Sequence, residues 1–247
     1  MIDRLRSLAR LAVCCLPLAL MACGDDSSGP AGVKHLYFSQ DGNGNGLFEV
    51  DLTTGAATLV GSGITGTTNS TIGLTETADP GVLIGSIWSA IALIASDGSA
   101  ATVLPGSAGV EGLAMNTATG ILYGCLNGTC YTIHPVTGVS TGTIAAPGAD
   151  VGEGLAVNSK TGVMYGVGGG SDSLYAYNIA GNTWSTIGSL GRVFDNAGLA
   201  YDHLANVLYV TDGATDSLFR INPATAAVTG IGALGTNGTG GLAFVVR

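Results

Sequence analysis

Charge is scarce in this 247-residue chain: Asp, Glu, Lys and Arg make up only 10% of it, with 8 basic side chains, 17 acidic ones and 3 histidines. So few cations cannot line a phosphate backbone, and nucleic acid is not an expected partner. Catalytic signatures are missing too. The sequence contains no nucleophile elbow, no zinc-binding spacing and no phosphate-cradling glycine loop. The longest apolar stretches, residues 11–22 and 81–95, fall short of the roughly 20 residues a membrane-spanning helix needs. What the chain does have is glycine, 41 residues of it, a mix that suits short strands and tight turns better than helices.

The five cysteines sort by position. Arg4, Arg6 and Arg10 precede an apolar stretch that stops at Cys23, the layout of a secretory signal over residues 1–22. Cys14 and Cys15 leave with it. Removal leaves 5 basic and 16 acidic side chains, a net charge of −11. Leu20-Met21-Ala22-Cys23 resembles the lipobox of bacterial lipoproteins, and the resemblance implies cleavage before Cys23 and lipidation of its thiol. Several acyl chains on one residue are enough for stable membrane attachment. Residues 23–31, polar and rich in small side chains, read as a tether. Gly24 rather than an aspartate follows the cysteine, which points to the outer membrane of a Gram-negative envelope, facing either the periplasm or the outside.

The remaining pair, Cys125 and Cys130, flanks Asn127-Gly128, the strongest short hairpin signal. A two-residue turn there makes the cysteines a facing, non-hydrogen-bonded pair with Cα atoms about 4.5 Å apart. An oxidising compartment then favours a structural disulfide.

Internal repetition sets the fold. Gly73-Leu-Thr, Gly112-Leu-Ala, Gly154-Leu-Ala, Gly198-Leu-Ala and Gly241-Leu-Ala recur at spacings of 39, 42, 44 and 43 residues, the period of a four-stranded propeller blade. Each full unit continues with a turn, a Leu/Met-Tyr strand (Leu122-Tyr123, Met164-Tyr165, Leu208-Tyr209) and two further strands. The most divergent unit has residues 81–95 as a hairpin turning near Trp88-Ser89. The chain's first strand, around Leu36-Tyr37, matches the second strand of a blade and lacks a predecessor. Residues 241–246 match the innermost strand and have no successor. Joining the two completes a blade from both ends, so the expected fold is all-β: a closed ring of five four-stranded blades over residues 32–247. The recurrent Gly-Leu-Ala, Leu-Tyr and Thr-Gly elements resemble NHL-like and YVTN-like bacterial propeller repeats. That resemblance implies a ring scaffold used for binding or, less often, catalysis.

Polar side chains concentrate in loops that a propeller gathers on one face. Glu111 and Glu153 stand just before Gly-Leu-Ala in neighbouring units, with Asp150, Asp195 and Asn196 nearby; the corresponding residues elsewhere are Ile72, Ala197 and Gly240. The carboxylates form a candidate ligand site, for a polar ligand or for calcium, although a hard cation asks for about six converging oxygens. Asp41, Asn43 and Asn45 imitate the start of an EF-hand loop, but the twelfth position is Leu52, and a hairpin connection explains them better. The aromatic residues of these loops are few, chiefly Trp88 and Phe194. The three histidines fall on the opposite face.

The expected function is therefore a membrane-anchored, non-catalytic binding scaffold of the cell envelope, with no cofactor beyond that calcium option and a protein, peptide or glycan as ligand. The alternative is a hydrolase or lyase using Glu111 and Glu153 as paired carboxylates.

Overall fold

The computed structural model describes residues 33–247 apart from residues 43, 68, 69, 107, 147, 149, 150 and 169. The signal and tether residues 1–31, with Cys23, lie outside the described residues, as do Asn43 and Asp150.

The described residues form twenty strands and no helix. The chain opens with β1 (Lys34–Gln40), β2 (Leu47–Val50) and β3 (Ala57–Leu59). Four complete sheets follow: β4 (Gly73–Glu76), β5 (Val82–Ser86), β6 (Ile91–Ala95) and β7 (Ala101–Val103); β8 (Gly112–Asn116), β9 (Ile121–Leu126), β10 (Thr129–Ile133) and β11 (Ser140–Ala145); β12 (Gly154–Asn158), β13 (Val163–Val167), β14 (Ser173–Asn178) and β15 (Thr183–Ser189); β16 (Leu199–Asp202), β17 (Val207–Asp212), β18 (Ser217–Ile221) and β19 (Val228–Ala233). The last strand, β20 (Thr239–Val246), completes the first sheet in the order β20-β1-β2-β3. All five sheets are antiparallel meanders of four strands, and each is one blade.

Closure occurs where the repeat predicts it. Leu36 faces Phe244, Tyr37 faces Ala243 and Phe38 faces Leu242, so the chain's two ends share one ladder. The strand starts at Thr239 rather than Gly241, because a bulge after Phe38 lets Gln40 pair with Thr239. The inner strands β4, β8, β12, β16 and β20 touch one another in cyclic order.

The repeated glycine has a steric cause. A Cβ on Gly73 would lie 2.1 Å from the Glu111 carbonyl oxygen, and one on Gly241 would lie 1.8 Å from the Leu74 nitrogen. Five blades crowd the axis so closely that only glycine fits where one inner strand crosses the next. At the other end of these strands an Asx turn recurs: Asn116, Asn158 and Asp202 each accept backbone N–H bonds from residues two or three positions later.

The core lies between blades. Tyr165 stacks on Tyr201 of the next blade with ring centroids 5.7 Å apart, and Tyr209 meets Phe244 edge-on at 5.8 Å. The once-per-blade tyrosines thus serve packing. Burial raises the phenol pKa values of Tyr123, Tyr165 and Tyr209.

The Asn127-Gly128 turn has both residues at positive φ, 49° and 73°, as a two-residue hairpin turn requires. Cys125 and Cys130 face each other across β9 and β10 and are disulfide-bonded, with Cα atoms 4.0 Å apart and both side chains fully buried.

Candidate functional site

In a meander of four strands, the connections from second to third strand and from each blade to the next emerge on one face, here called the upper face. Every position just before a repeated glycine reaches the axis there. Ile72, Glu111, Glu153, Ala197 and Gly240 all line one cavity of about 80 Å³ at the channel mouth. All five positions at that offset from the repeated glycine thus share one recess, including the three that carry no charge. Asp41, Trp88, Asn196 and Thr239 complete the lining, so every blade contributes.

The side chains in the mouth have distinct environments. Glu153 Oε2 accepts a bond from the Ala197 N–H at 3.3 Å and ties its blade to the next. Glu111, whose own N–H is held by the Cys125 carbonyl at 2.9 Å, has its carboxyl pKa raised, first by burial and second by the negative charge of Asp41. Asp41 carries a buried Oδ1 that has no hydrogen-bond partner among the described residues. Its N–H is fixed by the Gly238 carbonyl at 2.7 Å. Asn196 is exposed at the rim, adopts φ 45°, and its carbonyl accepts from Thr239 Oγ1 at 3.1 Å.

Trp88 is the aromatic member of the lining. It sits in the β5–β6 connection with 59% of its surface exposed and φ 65°, a left-handed conformation that bulky residues rarely adopt. The connection is tight, with the Ser89 N–H on the Ile87 carbonyl at 2.7 Å. Gly109 of the following loop passes so close that a Cβ there would lie 2.6 Å from the Trp88 carbonyl oxygen. The tryptophan backbone is therefore held while its ring stays in solvent.

The raised Glu111 pKa carries a sign. A carboxyl that titrates higher in the fold than in the unfolded chain favours the neutral form, so its ionisation reduces stability as pH rises through that interval. Glu111→Gln should raise the melting temperature at pH 8 by on the order of 1 °C, a small effect because solvent screens the group. The difference should shrink towards pH 4, where the unfolded carboxyl is itself mostly protonated. Thermal melts at the two pH values check this; an equal change at both would assign the effect to something other than charge.

Other sequence candidates do not join the cavity. Asp195 is exposed and outside its lining, with its N–H donated to Asp212 Oδ1 at 3.2 Å. Asn45 belongs to a hairpin connection and donates its side-chain amide to the Thr67 carbonyl at 2.8 Å. Among the described residues no three His, Cys, Asp or Glu side chains converge as a metal site. Phe194 is buried beneath Arg192 and offers no exposed ring. His35 and His203 lie at the lower face, paired with Glu49 and Glu76.

No protein-family model and no curated protein matches the sequence. Among solved structures, a chain in the crystal structure of a nidogen/laminin complex superposes with a TM-score of 0.61 at 12% identity, over 87% of this chain and 99% of that one. A structural genomics protein of unknown function from Bacteroides thetaiotaomicron aligns at 14% identity with a TM-score of 0.49, over 80% of this chain and 50% of that one. The first likeness, at this low identity, bears on fold alone: the chain is a β-propeller repeat protein, similar in architecture to the propeller of that complex.

Proposed function

We propose that this protein is an exported, lipid-anchored binding scaffold of the cell envelope, attached through Cys23 and engaging its ligand with the upper channel mouth. The observation that carries the binding role is the cavity itself. All five blades contribute to its lining, three carboxylates face it, and an exposed tryptophan stands at its edge. A rigid ring that presents such a recess is suited to recognition. The lipobox-like residues 20–23 and the polar residues 23–31 support attachment to a membrane, the outer one in a Gram-negative host. That the propeller of similar fold belongs to a nidogen/laminin complex makes a protein ligand a reasonable first choice.

The reading as a hydrolase or lyase draws on one observation, the raised pKa of Glu111 beside a second carboxylate, which is how a general acid is kept protonated.

Both readings meet in one experiment. The full chain, expressed in a bacterial envelope with a C-terminal tag, should fractionate with membranes, and Cys23→Ala should release it. Capture from detergent extracts should return a partner that Glu111→Gln/Glu153→Gln loses. Membrane attachment unchanged by Cys23→Ala would remove the anchor. A turnover of glycan or peptide substrates that the double substitution abolishes, without a fall in melting temperature, would replace the scaffold by an enzyme.

A further inference from the structure

The cavity is small for a whole ligand. At about 80 Å³ it offers the space of two or three water molecules. Sites that enclose a complete small molecule measure roughly 300–1,000 Å³. Whatever enters is therefore the tip of something that remains outside, as a side chain projecting from a partner would be.

The charge of the mouth selects the tip. Asp41, Glu111 and Glu153 line it, and among the described residues no lysine or arginine does. Arg192 is ion-paired with Asp212, Lys34 lies 3.6 Å from Asp202, and Arg247 lies 2.8 Å from Glu49, so these cations are engaged away from the mouth. Asp41 is part-buried in that lining and its enclosed Oδ1 has no hydrogen-bond donor among the described residues, so its negative charge is poorly compensated until a cation arrives beside it. A cation arriving beside Glu111 would likewise offset the burial and the Asp41 repulsion that disfavour its charged form.

Trp88 supplies the second, independent part. An indole that is 59% exposed is poorly used for packing, and its left-handed backbone makes it a costly choice for a turn. Beside a carboxylate-lined recess it can lie over the methylenes or the charged head of a long basic side chain.

We infer that the channel mouth receives a lysine or arginine side chain of a protein partner, with Trp88 covering it and Asp41 and Glu153 accepting its N–H bonds. This rests on the binding role proposed above and names the chemistry of the ligand.

Trp184→Phe leaves Trp88 as the sole tryptophan, so its emission reports on the mouth directly. The probes are acetyl-Gly-Lys-Gly-amide, acetyl-Gly-Arg-Gly-amide, the same lysine peptide acetylated on Nε, spermidine, and chitotriose. The two cationic peptides should change the emission saturably, and the acetylated peptide should bind at least roughly tenfold more weakly, as loss of charge-assisted hydrogen bonds requires. Asp41→Asn and Glu153→Gln, each checked for an unchanged thermal transition, should weaken the cationic peptides about tenfold as well.

Equal binding of the acetylated peptide or preference for chitotriose would overturn the inference while leaving the mouth as a binding site. A response to spermidine alone would also overturn it, because the ligand would then be a free polyamine. Absence of any saturable response to the cationic peptides at about 10 mM, a concentration that populates even millimolar complexes, would overturn it as well. Should capture from extracts still return a partner in that last case, the scaffold reading survives without this ligand.

Discussion

Deleting residues 239–247 is expected to leave a chain with no cooperative thermal transition. The deletion removes β20, the inner strand of the first blade, which pairs with β1 on its axial side. Leu242, Ala243, Phe244 and Val245 are each at most 4% exposed. At about 1.5–3 kcal/mol for each of the three larger side chains, their burial contributes roughly 5–9 kcal/mol, comparable to the whole stability of a typical domain. The loss also bares Leu36, Tyr37 and Phe38 on β1 and separates β4 from β16, which both touch β20.

A rearranged chain provides the control. Val246 lies opposite Lys34, so residues 239–246 can be placed before β1 through a four-residue turn like that at residues 159–162. That chain should recover a transition within a few degrees of the native one. Far-ultraviolet circular dichroism melts compare the three; cooperative unfolding of the truncated chain near the native temperature would mean that the seam does not hold the ring.

The second large effect is expected at Asp212. Its carboxylate is completely buried and ion-paired with Arg192, whose guanidinium lies 4.2 Å over the Phe219 ring and 5.0 Å over Phe194. The same carboxylate accepts from Thr215 Oγ1 at 2.7 Å, from the Asp195 N–H at 3.2 Å and from the Ala214 N–H at 3.3 Å. One acidic group thus fastens the loop entering the last blade to the β17–β18 turn. Breaking a buried pair by removing one partner costs about 3–5 kcal/mol. Arg192 is partly exposed and can turn to water, which places Asp212→Ala near the lower figure. That corresponds to a fall of roughly 6–12 °C in melting temperature for a domain of this size. Asp212→Asn, which keeps the acceptor for the loop N–H groups, should lose about half as much. A change under about 2 °C for the alanine variant would show that the loop is held by its aromatic contacts instead.

Asp212 also marks the boundary of what the sequence makes legible. The ring is legible because its cause repeats: the glycine forced by axial crowding, the tyrosine between blades and the Asx turn recur at one spacing, and the missing first strand reappears at the carboxyl end. The five mouth positions are legible for the same reason, as fixed offsets from that glycine. Single occurrences are not. Asp212 reads as an ordinary loop aspartate until Arg192, twenty residues earlier, is seen to reach it. Asp41 reads as the start of a failed EF-hand because its charge matters only once the seam brings its loop to the mouth beside Glu111. Trp88 lies in the most divergent blade, where no repeat neighbour predicts its left-handed turn or its exposure. Asp195 errs in the opposite direction: it is next to Asn196 in sequence but is exposed and outside the cavity lining. Offsets in a repeat carry backbone position, whereas side-chain direction in a loop depends on tertiary contacts.

The binding role is tested most directly by light-activated crosslinking in intact cells, with a photoreactive residue placed either at Asn196 on the upper rim or at Leu204, an exposed residue of the β16–β17 turn on the lower face. A scaffold that works through its channel mouth should yield a discrete crosslinked partner from position 196, lost on Glu153→Gln, and none from position 204. Crosslinks from position 204 with none from position 196 would contradict it and move the functional face to the other side of the ring.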